Sequence, residues 1–133
     1  MTHIMWLMVA TLVLFQVKHL VCDFLVQPPY MFLNKGNIRH LGGYLHAGFH
    51  SFGTVFLLSL IFPINAVMLG IALLEFIVHY AVDWAKVNIN DYYGWKCNAS
   101  PEFWYLLGID QLAHQLTYIG MTVLFFLYSR PYI

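Results

Sequence analysis

Residues 71–86 read Ile71-Ala72-Leu73-Leu74-Glu75-Phe76-Ile77-Val78-His79-Tyr80-Ala81-Val82-Asp83-Trp84-Ala85-Lys86. The stretch is apolar on nearly every side, as a core or membrane helix is. Three ionisable groups interrupt it at four-residue steps: Glu75, His79 and Asp83. Residues four apart share a helix face, so all three project together. An ionisable group inside a membrane span costs at least about 2.5 kcal/mol near the bilayer centre and is by default a sign of function. This one stretch therefore fixes both the class of helix and the place to look for a site.

The same pattern recurs outward. His19 and Asp23 lie four apart in the first apolar segment, His46 and His50 in the second, and Asp110 and His114 in the last. Four apolar segments fit spans: His3 to Gln27, Gly42 to Phe62, Ile64 to Lys86 and Glu102 to Tyr128. Each approaches the ~20 residues needed to cross ~30 Å of hydrocarbon. Pro28-Pro29 stops the first segment, because proline lacks an N–H and constrains the residue before it. Pro63 breaks the second from the third and forces a tight hairpin. Ser100, Pro101 and Glu102 make a start signal for the fourth: an N-cap residue, proline at the first helical position and an acid in the first turn. The expected fold is all-α, a polytopic four-helix transmembrane bundle running up-down-up-down, in a single domain over residues 1–133.

Composition agrees. The chain has 133 residues, 61% hydrophobic, 18% aromatic and 9% charged, with a formal net charge of zero. Soluble domains carry about 25% charged residues. Neither a nucleic-acid partner nor a polybasic lipid-binding segment is indicated. The partners expected are the lipid bilayer and further copies of the chain. Cys22 and Cys97 make no disulfide framework. Asn98-Ala99-Ser100 matches a glycosylation sequon and is read as chance. The apolar run from Ile4 to Val17 continues through Lys18, His19 and Asp23, so it reads as a retained first span and not a cleavable signal. Loops 28–41 and 87–100 hold Lys35, Arg39 and Lys96, with Lys86 at the edge. The opposite side holds Arg130 and the N-terminal amine. The positive-inside rule then places both loops in the cytoplasm, and the expected location is a bacterial inner membrane.

Depth sharpens the site. At 1.5 Å per residue, all four pairs fall roughly 5–18 Å from the loop side. One rotation per helix turns every pair inward. Gln27 extends the His19/Asp23 stripe and Gln111 adjoins Asp110. Lys86 follows Asp83 on nearly the same face, whereas Lys18 sits about 100° from His19 and need not face the same cavity.

Three chemistries fit. The first is a divalent metal, zinc before manganese or iron, held by His19, His46, His50, His79, Asp83, Asp110 and His114; imidazole and carboxylate pairs on facing helices are how bundles build such centres. Glu75 or Asp23 is then the candidate general base, and Lys86 stabilises negative charge on the substrate. The second is proton or metal-ion movement through a relay. The third is structural hydrogen bonding between helices, or a heme held by two histidines with Gly42, Gly43, Gly48 and Gly53 making room. The functional expectation is a metal-dependent hydrolase acting on a membrane-associated lipid or phosphorylated substrate. A transporter or channel is the alternative, and a non-enzymatic membrane effector or subunit is the third reading.

The ordered set His19-x3-Asp23-Phe24-x2-Gln27, Asn34-Lys35, His46-x3-His50, His79-x3-Asp83-x2-Lys86 and Asp110-Gln111-x2-His114 resembles a family of small bacterial and phage membrane proteins known as domain of unknown function 3307. The resemblance implies a multi-span helical membrane protein and singles out the same residues. It supplies no activity.

Overall fold

The computed structural model describes residues 3–129, and these are all-helical. Helix α1 runs His3–Leu20 and continues as a π-helical turn, Val21–Leu25. A short α2 spans Pro29–Phe32, then α3 spans Leu41–Ser59, α4 Ala66–Tyr93 and α5 Pro101–Tyr128. The long helices close into a ring in which α1 packs on α3 and α5, and α4 packs on α3 and α5.

Local chemistry sets the breaks. The π turn shows in the bond from Val26 N–H to Val21 O, 2.9 Å, and Pro28 and Pro29 stop further winding. Asn65 caps α4, its Oδ1 accepting from Met68 N–H at 3.0 Å. Gly94 ends α4 at φ 69°, a left-handed conformation that glycine adopts freely. His40 caps α3 through its Nδ1, which accepts from Gly42 N–H at 3.1 Å, so it is not merely solvated.

Several expected boundaries move. The helix expected to end at Lys86 continues to Tyr93, so half of the expected loop 87–100 is helical. No proline or glycine interrupts that stretch before Gly94, and Asn90 is buried within it. Ser100 occupies the N-cap position of α5, but its side chain makes no cap bond; its Oγ accepts from Lys96 N–H, 3.2 Å, inside the preceding turn. Cys22 is buried and Cys97 exposed, and both are free. Arg130 and the N-terminal amine lie outside the described residues.

The interior is inverted relative to a water-soluble bundle. Among the described residues, buried polar or charged side chains outnumber buried apolar ones. The outer faces carry Val13, Val17, Phe52, Phe56, Leu73, Ile77, Leu112 and Leu116. Two helical stretches, His3–Leu25 and Ala66–Tyr93, are long and apolar enough to cross a membrane. Buried polar or small positions dilute the other two: Gly42, Gly43, His46, His50 and Thr54 in α3, and Asp110, His114 and Thr122 in α5.

The bundle core divides along its length. At one end Phe15, Leu58, Met68, Ile71, Tyr118, Met121 and Phe125 pack as an apolar cluster. The other end, near the two loops, holds the ionisable residues. The loop before α3 is pressed onto that end. A Cβ at Gly42 would lie 2.7 Å from Tyr30 O and 2.8 Å from Asn34 Cβ, so the close approach of loop and helix requires glycine there.

Candidate metal centre

The sequence spacing brings its pairs to one place. His46 and His50 of α3, His79 and Asp83 of α4, His114 of α5, and Asp23 of the π turn converge on the bundle axis. Asp23 Oδ1 lies 2.8 Å from His46 Nε2 and 3.2 Å from His50 Nε2. His46 Nε2 and His79 Nε2 are 3.0 Å apart. Asp83 faces the cluster with both oxygens: Oδ2 is 3.2 Å from His46 Nε2 and 3.4 Å from His79 Nε2, and Oδ1 is 3.6 Å from His114 Nε2.

Most of these separations, 3.2–3.6 Å, are close to those of a ligand set, while the Asp23–His46 and His46–His79 contacts are at hydrogen-bond distance. A tetrahedral ion with bonds of about 2.0–2.2 Å separates its ligand atoms by about 3.3–3.6 Å. Two groups have all their donor atoms within 4.8 Å of one another: Asp23, His46, His50 and His79, and His79, Asp83 and His114. His79 belongs to both. Two buried polar atoms at the site make no hydrogen bond, His114 Nε2 and Asp110 Oδ1, whereas Asp83 Oδ2 is paired with Lys35 Nζ at 2.8 Å. Leaving such atoms unsatisfied is costly, about 1–3 kcal/mol each and more when charged. An ion would satisfy them.

Groups behind the ligands orient them. Gln27 places its side-chain amide 2.8 Å from His46 Nδ1. Tyr118 holds its hydroxyl 3.4 Å from His50 Nδ1 and 3.1 Å from His19 Nδ1. Contacts of this kind fix the tautomer and the ring of a metal-binding histidine. His19 itself stands beside the two groups; its Nε2 meets Gln111 Oε1 at 3.1 Å and Asp23 Oδ2 at 3.2 Å. Asp110 is also at the margin, 3.5 Å from His114 Nε2, accepting from Gln111 and 3.9 Å from Lys86 Nζ.

The candidate base Glu75 sits deeper and is already engaged. Lys18 Nζ pairs with Glu75 Oε1 and donates to Thr54 Oγ1, 2.8 Å, and to His50 O, 3.2 Å. Thr54 donates to Glu75 Oε2 at 2.5 Å. Lys18 therefore faces the interior at a deeper level and does not line the cavity beside Asp23 and Asp83. Its long stem folds back along Gly53, where a Cβ would meet Lys18 Cδ at 3.0 Å. A buried cation opposite a buried anion outweighs the 100° offset.

Three participants were not identified as site residues from sequence. Tyr118 carries no sequence signal, Lys18 is set off the His19 face, and Lys35 reads as a topogenic loop charge. Lys35 is buried, with its Nζ 2.8 Å from Asp83 Oδ2 and 3.6 Å from Asp23 Oδ1. Its sequence signals are the Asn34-Lys35 pair of the family-like set and a loop position, shared with Arg39, from which a cation could draw an anionic substrate to the mouth of the site. A heme finds no slot in this arrangement: the His50 and His79 ring centroids are 3.8 Å apart, and Gly42 is covered by the loop.

A cavity of about 240 Å³ opens from the cluster toward the loop end. Asp23, Asp83 and Asp110 line it with Lys35, Lys86 and Gln111, and Phe24, Phe32 and Leu107 form its apolar side. Glu75 does not line it.

Comparison with curated proteins and with solved structures gives no match. Among sequence families there is a match covering all the residues described above from Lys18 to Tyr118. Residues 11–131 fit the family described as protein of unknown function (DUF3307), and the chain belongs to that family.

Proposed function

We propose that this is a membrane-embedded metal-dependent hydrolase, a four-span bundle whose interior holds a divalent ion, zinc first. The observation that carries the reading is the convergence of Asp23, His46, His50, His79, Asp83 and His114, from four chain segments, at ligand-to-ligand distances. Structural hydrogen bonding alone needs donors and acceptors in pairs; His114 Nε2 and Asp110 Oδ1 are buried here without a hydrogen bond. The apolar outer faces support a bilayer as the solvent of the bundle. The lysines at the loop end support a cytoplasmic location for both loops, in an inner membrane.

A divalent ion here would supply Lewis acidity and a coordinated water acidified toward pH 7. The residues do the rest. His46, His50 and His79 with Asp23 form one ligand group, and Asp83 with His114 extends it. Gln27 and Tyr118 hold the imidazoles in place. With its Oδ1 among the ligands, Asp23 keeps Oδ2, beside His19 Nε2, for a proton and lines the cavity, so it is the better base; Glu75 holds Lys18 instead. Lys86, at the cavity wall, answers charge that develops on a scissile ester.

The test is elemental analysis of protein purified in mild detergent, wild type beside His79→Ala, followed by an esterase and phosphodiesterase screen with and without chelator. Bound metal in the wild type, its loss in the variant and chelator-sensitive turnover are expected. Full metal occupancy in His79→Ala would sink the ligand assignment. Metal without any turnover, together with ion flux in liposomes, would favour the transport reading.

A further inference from the structure

An ion in the cluster would change the charge balance around the cavity. Three carboxylates border it, Asp23, Asp83 and Asp110, and two ammonium groups, Lys35 and Lys86. Lys18 and Glu75 neutralise each other deeper in the bundle. With the imidazoles neutral, the bordering groups sum to one negative charge. One divalent ion turns that into one positive charge. Uncompensated charge away from water is costly, several kcal/mol per ion. An anion in the cavity removes it.

The position of Lys35 says where that anion sits. Its ammonium now answers Asp83, 2.8 Å, and Asp23, 3.6 Å, the same carboxylates that belong to the ligand cluster. A metal on those oxygens takes over their charge and leaves Lys35 on the cavity wall without a counter-charge. The loop cannot readily carry it away. Gly36 O accepts from Asn88 Nδ2 at 3.0 Å, and a Cβ at Gly36 would lie 2.6 Å from Val87 Cγ1. Lys86 approaches from α4 and is held only loosely, 3.9 Å from Asp110 Oδ2. The two lysines come from different elements of the fold and border one cavity with the metal ligands at its base.

A carboxylate has two oxygens and cannot readily meet two ammonium groups and a metal together. A phosphate group can, and lysine is a common point-charge partner for it. The remaining wall is apolar: Phe24 and Phe32 are 57% and 60% exposed beside the opening. We infer that the cavity is a subsite for the phosphate group of an amphiphile, gripped between Lys35 and Lys86 with the apolar part against Phe24, Phe32 and Leu107. The inference rests on the metal reading and names the substrate class of that same site.

The test starts from zinc-loaded protein in mild detergent, with its zinc content measured first. Calorimetric titration then compares dihexanoyl phosphatidic acid, inorganic phosphate and uncharged dihexanoylglycerol. Phosphatidic acid is expected to bind, inorganic phosphate more weakly and dihexanoylglycerol not at all. Lys35→Met and Lys86→Met should each weaken phosphatidic acid by roughly ten- to hundredfold, the loss of one charged hydrogen bond, with zinc content unchanged. Lys35→Arg should retain binding, and Arg39→Met, on the same loop but exposed, should change nothing. If Lys35→Met does not fold, Lys86→Met carries the comparison. Inorganic phosphate binding as tightly as phosphatidic acid would overturn the amphiphile. Zinc bound with no response to either phosphate would overturn the subsite and leave the metal centre standing. Absence of zinc would overturn both.

Discussion

The two halves of the bundle interior use the same helices for opposite purposes. One half, around Phe15, Leu58, Met121 and Phe125, is packed with apolar side chains. The other, around His46, His50, His79 and Asp83, buries ionisable groups at comparable depth. In a bilayer the apolar half gains little from hydrophobic transfer, since lipid is as apolar as leucine, so it contributes mainly close packing. The polar half gains nothing from packing that apolar residues would not give better. A bound ion would account for its cost. The comparison separates what holds the helices from what the helices hold.

The largest effect should come from the polar half. Asp83→Ala removes the carboxylate that contacts His46, His79 and His114. Metal occupancy should fall at least tenfold by elemental analysis, while far-ultraviolet circular dichroism stays helical. If the variant instead unfolds while the wild type contains no metal, the polar half is structural and the contrast between the halves collapses. Metal removal by chelator tests the same point from the other side. A ligand at one hundred times its Kd stabilises the folded state by about 2.7 kcal/mol, so chelation should lower the unfolding midpoint of the wild type and not that of Asp83→Ala.

Next in size is the boundary between the halves, where Lys18 and Glu75 form a buried pair. Breaking such a pair by removing one partner costs about 3–5 kcal/mol, because the other charge is left buried alone. Glu75→Gln and Lys18→Met should each destabilise by that order in a detergent unfolding assay. The double variant should recover most of the loss. If the single changes are mild and additive, Glu75 is not tied to Lys18, and its role as a base reopens.

The apolar half should respond in stability alone. Phe125→Ala empties a fully buried position packed against Phe62. Truncations of this kind cost about 3–5 kcal/mol in water-soluble cores, and the lower end applies in lipid. Metal content per folded molecule should not change. A loss of metal in Phe125→Ala would show that the halves are coupled.

How far the sequence carried this picture depends on the level of structure. The four long helices and the convergence of His46, His50, His79, Asp83 and His114 followed from apolar length and four-residue spacing, because both are properties of a single helix. The place of Asp23 beside His46 and His50 depends on a π turn, Val21–Leu25, which no residue pattern announces. Lys35 and Tyr118 depend on tertiary placement: one on a loop folded over α3, the other on a helix whose buried face mixes Thr122, Met121 and His114. The Lys18–Glu75 pair is not legible in sequence because it depends on the reach of a four-carbon stem, which angular position on a helix does not describe. The extension of α4 to Tyr93 was missed because polar composition was taken for loop, although Asn88 and Asn90 turn toward the bundle and its loop.

The smallest effect distinguishes two helix starts that look alike in sequence. Asn65 and Ser100 are both good N-cap residues. Asn65 Oδ1 does accept from Met68 N–H, 3.0 Å, at the apolar end of the bundle. Ser100 makes no such bond, because its hydroxyl is turned to Lys96 N–H in the connecting turn and proline follows at the first helical position. Asn65→Ala should therefore cost about 1 kcal/mol, and Ser100→Ala less than about 0.5 kcal/mol, the range of exposed substitutions. Equal losses at the two sites would mean that Ser100 caps α5 in solution. The connection above the cavity would then differ from the one described, and the loop end, not the apolar end, would be where the bundle's geometry needs revision.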